Sequence, residues 1–182
     1  MFETVRNAFK IKDLRKKLLY TFFTLIVVRI GSQLPVPGVK YEAIREMFNS
    51  QKSLDFFNQL TGGSFESMSI FALNITPYIT ASIIIQLLTI AIPRLEELHK
   101  DGEEGRKKLT EYTRYVTIGL SVMESAAMAI GFGNSGYLTD DKITFTSVAV
   151  IIVSLTAGSA FLMWLGEQIT EKGVGNGISI IL

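Results

Sequence analysis

The stretch SIFALNITPYITASIIIQLLTIAI, from Ser69 to Ile92, carries no charged residue yet contains Asn74, Pro77 and Gln86. A run of this length is enough to cross about 30 Å of hydrocarbon, so it reads as a membrane span. A proline inside an apolar helix removes one backbone donor and frees a carbonyl, and lipid can satisfy neither. The reading therefore predicts that this backbone faces protein or a water-filled path, and that the span is more than an anchor.

Hydrophobic residues make up 48% of the chain and charged residues 19%, so the charges must be segregated if other membrane spans exist. They are segregated. The run Leu18 to Leu34 holds only Arg29, Tyr115 to Phe132 holds only Glu124, and Ile143 to Leu165 holds none. The implied organisation is a basic N-terminus (1–17), span one (18–34), an external loop (35–69), span two (70–92), a second loop (93–114) and span three (115–132). A short external loop (133–142), span four (143–165) and a loop (166–176) lead to the start of a span five (177–182). That last segment, GISIIL, is too short to cross, which implies that the sequence stops inside an element.

Orientation follows from the cations. Arg6, Lys10, Lys12, Arg15, Lys16 and Lys17 precede span one, Arg94, Lys100, Arg106, Lys107, Lys108 and Arg114 lie between spans two and three, and Lys172 follows span four. Lys40, Arg45, Lys52 and Lys142 lie on the other side, and thirteen against four places the N-terminus and the loop around Gly102 in the cytoplasm. Leu34-Pro35-Val36-Pro37-Gly38 offers no small-residue cleavage signal, so the first run reads as a retained span rather than a signal peptide. No cysteine is present, and the lone His99 sits among Glu96, Glu97, Lys100 and Asp101, which reads as a solvated loop rather than a metal ligand. A net charge of +1 does not favour nucleic acid as a direct partner.

The segment LDFFNQLTGGSFESMS (Leu54 to Ser69) is too short and polar to cross a bilayer, yet it carries Phe56, Phe57 and Phe65 and a Gly62-Gly63 break. Composition leaves two readings open: a re-entrant half-helix feeding span two, or an amphipathic helix on the outer surface. Gly173, Gly175 and Gly177 form a G-x-G-x-G, but no strand precedes it, and a sharp turn before span five explains it better than a phosphate cradle. Glu124 falls near the middle of span three, where an unpaired ionised acid costs on the order of 2.5–3.5 kcal/mol. It reads as a polar contact within the bundle, the alternative being a proton-relay or catalytic carboxylate. Arg29 lies late in span one, within snorkelling reach of the outer interface.

Five motifs, taken in order, closely resemble the bacterial SecY family, whose members are the channel subunit of the Sec protein translocase. They are Leu34–Gly38 (LPVPG), Ser69–Leu73 (SIFAL), the span that runs on to Leu88, Asp101–Arg114 (DGEEGRKKLTEYTR) and Trp164–Ser179 (WLGEQITEKGVGNGIS). The resemblance implies an all-α membrane protein: a multi-span helical bundle forming the N-terminal half of an inverted-repeat channel with a re-entrant plug half-helix. In that family two halves enclose an hourglass pore with an apolar waist. The resemblance maps Ile75, Ile79, Ile178 and Leu182 to the waist, Leu182 standing where isoleucine is usual. It makes 57–67 the candidate plug, with Phe57, Leu60, Gly62, Gly63, Phe65 and Ser67, and it places Ile83 and Gln86 at the lateral gate.

The same resemblance implies conduction of unfolded polypeptides and sideways release of membrane segments, in the bacterial plasma membrane, without cofactor or catalysis. The implied partners are the subunits SecE and SecG, the motor ATPase SecA, the translating ribosome, signal sequences, unfolded preproteins and membrane lipid. The competing class is a small-solute transporter or an intramembrane enzyme using Glu124. A transporter needs further polar side chains opposite Asn74 and Gln86, and an enzyme needs a second catalytic group near Glu124. Spans one and four supply only Ser, Thr and the distant Arg29.

Overall fold

The computed structural model describes residues 11–50, 63–139 and 144–182. Within them the chain is helical, and the extended contacts are two isolated antiparallel bridges, Pro35 with Ser69 and Val39 with Leu138. Helix α1 (Lys12–Gly31) starts after the extended Ile11, with Asp13 in the first turn where the helix dipole favours an anion. Its buried residues are Thr24 and Gly31, while Phe22, Phe23 and Ile30 are each about 60% exposed. The short α2 (Tyr41–Ser50) buries Ile44 in an apolar core with Val36, Val39, Met68 and Leu138.

The span centred on Pro77 is organised differently from a continuous helix. Gly63 to Ile75 is a series of turns, and α3 (Thr76–Ala91) starts only after Asn74, whose φ of +52° cannot be part of a right-handed helix. Pro77 therefore sits in the first turn of α3, where the missing N–H has no intrahelical partner to lose, and not in a helix interior as the sequence suggested. The turn backbone is satisfied by protein: Ile70 N–H donates to Leu34 O (3.0 Å), Phe71 N–H to Ser69 Oγ (3.2 Å) and Asn74 N–H to Phe71 O (2.8 Å). Phe71, Ala72, Leu73, Asn74 and Ile75 are all buried, so the irregular backbone is shielded within protein.

Ile92 is extended and Pro93 opens α4 (Pro93–Lys100), because the residue before a proline is excluded from the helical region. The two helices meet at a bend of 104°. Gly102, at φ +72°, then turns the chain into α5 (Gly102–Asn134), packed so tightly on α4 that a side chain at Gly105 would strike the Leu98 carbonyl. The buried face of α5 recurs every fourth residue: Gly105, Leu109, Thr113, Thr117, Ser121, Ser125 and Ala129. Such a small-residue stripe lets neighbouring backbones approach closely. Its hydroxyls are bonded within their own helix, Thr113 to Leu109 O (2.9 Å), Thr117 to Thr113 O (2.7 Å), Ser121 to Ile118 O (2.9 Å) and Ser125 to Val122 O (3.0 Å).

Helix α6 (Phe145–Lys172) runs back beside α5. A turn with Gly175 at φ +75° leads into the short α7 (Gly177–Ile181), which Asn176 caps by accepting from Ile178 N (3.1 Å) and Ser179 N (3.4 Å). By length and composition α5 and α6 are each able to cross a membrane, and α3 with α4 passes as a bent pair. Helix α1, at 20 residues and about 1.5 Å per residue, has the length but carries Lys12, Asp13, Arg15, Lys16 and Lys17 in its first turns. The chain is thus a membrane-spanning helical bundle.

Candidate functional site

Helix α6 is the wall against which the candidate waist is built. Gly158 leaves no space for a side chain beneath the Ile70 carbonyl, and Ser159 Oγ donates to Asn74 O at 3.4 Å. One face further along, a methyl added at Gly166 would stand 2.6 Å from Ile178 Cδ1 and 3.4 Å from Ile75 Cδ1. The two isoleucines, about a hundred positions apart in sequence, therefore meet over one glycine. Gly177 lies against the Gly166 carbonyl, so α7 crosses α6 glycine on glycine and delivers Ile178 to that point.

The four residues differ in exposure. Ile75 is fully buried at the N-terminus of α3, Ile79 and Ile178 are half-buried, and Leu182 is 57% exposed. Ile79 N–H donates to Ile75 O, so these two occupy successive turns. Of the candidate plug, Phe57, Leu60 and Gly62 lie outside the described residues. Gly63 adopts φ +84°, and Phe65 packs against the core around Ile44 and Met68. Ser67 N–H donates to Gly63 O at 3.2 Å, and the segment's base is tied down where Val36 N–H donates to Met68 O (2.8 Å). Arg45 Nε also pairs with Glu66 Oε1 at 3.1 Å. Ile83 and Gln86 are exposed on one face of α3 together with Leu87 and Ile90.

Directly beside the Gly166 junction is an open cavity of about 370 Å³ lined by Tyr78, Arg114, Glu167, Asn176 and Ile178, among others. Across it Arg114 Nε and Nη2 donate to Glu167 Oε1 and Oε2 at 2.9 and 2.8 Å, a bidentate pair joining α5 to α6. Sequence reasoning missed this pair although both residues lie within the family motifs. The available signal was one cation at the polar end of span three and one anion at the matching end of span four. Glu124 is half-buried on α5, and among the described residues no group of three or more His, Asp or Glu side chains is gathered to hold a metal.

An apolar helical bundle with an irregular, protein-shielded lead into α3 and isoleucines converging beside a polar cavity belongs to the class of multi-span helical membrane proteins. The SecY family model matches residues 69–182. The protein translocase subunit SecY of Bacillus subtilis is 48% identical over 185 residues, covering 100% of this chain and 42% of the relative. That of Streptomyces coelicolor is 43% identical over 195 residues, covering 100% of this chain and 44% of the relative. Among solved structures, Sec61 in the canine ribosome-channel complex from the endoplasmic reticulum aligns with a TM-score of 0.61 at 21% identity, over 92% of this chain and 35% of that one. A SecY structure described for a plug domain that stabilises the closed state aligns with a TM-score of 0.60 at 23% identity, over 91% and 34%. At those identities the structures show the shared fold. This chain belongs to the SecY family, and it spans under half the length of the curated relatives it matches.

Proposed function

We propose that this chain is the N-terminal portion of the central channel subunit of a Sec translocase, which conducts unfolded polypeptides across a bacterial plasma membrane and releases membrane segments sideways into lipid. Four segments cross, with the N-terminus in the cytoplasm; 18–34, 70–92, 115–132 and 143–165 are those segments, and the cation asymmetry supports the orientation. Ile75, Ile79, Ile178 and Leu182 form this chain's share of an apolar waist, 57–67 its plug, and Ile83 and Gln86 one side of a lateral gate. SecE, SecG, SecA and the translating ribosome are the partners of that assembly, and signal sequences and unfolded preproteins its substrates.

The observation that carries the reading is the meeting of Ile75 and Ile178 at Gly166. A pore wide enough for an extended chain leaks ions when idle unless apolar side chains dewet its narrowest point, and a rigid glycine seat fixes where those side chains stand. The test replaces Ile75 and Ile79 by Asn in the full-length channel with its partner subunits, reconstituted in planar bilayers. Resting ion conductance rises and the demand for a strong signal sequence relaxes. A channel that stays as tight and as discriminating as the parent overturns the waist assignment.

A further inference from the structure

Two polar contacts tie α5 to α6, and they agree on one antiparallel register. Eleven residues separate Arg114 from Ser125 on α5, and eleven separate Thr156 from Glu167 on α6, where Ser125 Oγ and Thr156 Oγ1 lie 3.3 Å apart and the Arg114–Glu167 pair closes at 2.8–2.9 Å. The rest of the buried α5 face cannot choose this register so sharply. Thr113, Thr117, Ser121 and Ser125 repeat every fourth position, so a slide of four residues, about 6 Å, would on the α5 side replace Thr by Thr and Ser by Ser over part of this stretch. In the alignment slid toward Ser121 and Thr156, Arg114 would face Met163 in place of a carboxylate, so the pair disfavours that slide, as a single polar residue does in a coiled coil; a slide the other way would bring Glu171 opposite Arg114 and is not opposed by it.

Register matters here because Gly166, adjacent to Glu167 in the chain, is the seat shared by Ile75 and Ile178. A one-turn slide of α6 would carry that seat away and put Leu162 or Thr170 under the two isoleucines. We infer that Arg114 and Glu167 are positioning residues for the waist: their bidentate pair keys α6 to α5 so that Gly166 stands beneath Ile75 and Ile178 in the closed channel. This rests on the waist reading proposed above.

The test uses the full-length channel with its partner subunits and two readouts. Cysteine pairs report register directly: Ser125→Cys with Thr156→Cys for the native alignment, and Ser121→Cys with Thr156→Cys for the slid one. Planar-bilayer conductance reports the waist. In Arg114→Glu and in Glu167→Arg the ratio of slid to native crosslink rises about fivefold, the change given by a pair worth on the order of 1 kcal/mol, and resting conductance rises with it. Arg114→Lys, which keeps charge but loses the fork, falls between; the double exchange Arg114→Glu with Glu167→Arg restores both readouts. Unchanged crosslinks in the single variants and in Arg114→Lys overturn the register role. A changed register with parental conductance, in a channel that Ile75→Asn does make leak, overturns the link to the waist. If Ile75→Asn does not leak, the waist reading fails on its own, and the crosslink ratio still decides whether the pair sets register.

Discussion

Gly158→Ala probes a close approach between α6 and the irregular segment. The added methyl would fall inside hard contact with the carbonyl oxygen of Ile70, and 3.3 Å from Phe71 Cδ1. That oxygen has no rotamer to escape into, because Ile70 N–H is bonded to Leu34 O and Ser69 is bridged to Pro35. Relief requires α6 and the turn to part by more than an ångström, which overpacking data place at about 1–3 kcal/mol. Separation also pulls apart the Ser159–Asn74 hydrogen bond, worth about 1 kcal/mol, so the expected loss is about 2–4 kcal/mol. The assay is equilibrium unfolding of the full-length protein in mixed micelles. Gly119→Ala and Gly131→Ala serve as controls, since nothing lies within 4 Å of a methyl at either position, and each should be neutral or stabilising by up to about 1 kcal/mol. If Gly158→Ala falls within about 0.5 kcal/mol of those controls, the ordinary range of surface substitutions, the wedge is not a rigid contact and the reasoning is refuted.

Topology and the gate give two further tests. Single cysteines at Lys107 and Lys172 should react only with reagents admitted to the cytoplasm and one at Lys40 only from outside; exterior labelling at Lys107 would reverse the orientation. A photocrosslinker at Ile83 or Gln86, both exposed on α3, should capture a stalled signal sequence in the complete channel, and crosslinks arising only from α6 would remove α3 from the gate.

The charge-poor runs of the sequence lie in the helices that carry the bundle: 115–132 within α5 and most of 143–165 within α6. What the runs could not reveal is where a helix within an uncharged stretch begins. Asn74 and Pro77 marked a disturbance, but the break depends on Asn74 holding a left-handed backbone, and that conformation is supported by neighbours such as Ser159 that lie far along the chain. Proline alone suggested a gap inside a helix, whereas proline following a break is a good helix start. The Arg114–Glu167 pair was invisible for a related reason. Its members are 53 residues apart, and only the antiparallel packing of α5 on α6 aligns them. The meeting of Ile75 and Ile178 likewise depends on two glycines, Gly166 and Gly177, whose importance lies in absent atoms rather than in any chemistry a motif displays.

The hydroxyls of α5 enter the bilayer already matched. Thr113, Thr117, Ser121 and Ser125 each donate to a carbonyl of the preceding turn, so none depends on a neighbouring helix for an acceptor. A scale that charges each Ser or Thr the full desolvation of a free hydroxyl overstates the cost of inserting this helix. These Ser and Thr side chains therefore add little to the cost of placing the apolar part of α5 in lipid, even before α6 has been synthesised. Along the stripe itself, packing rather than hydrogen bonding therefore holds α5 to its neighbours, and the polar ties to α6 are confined to the Arg114–Glu167 and Ser125–Thr156 contacts.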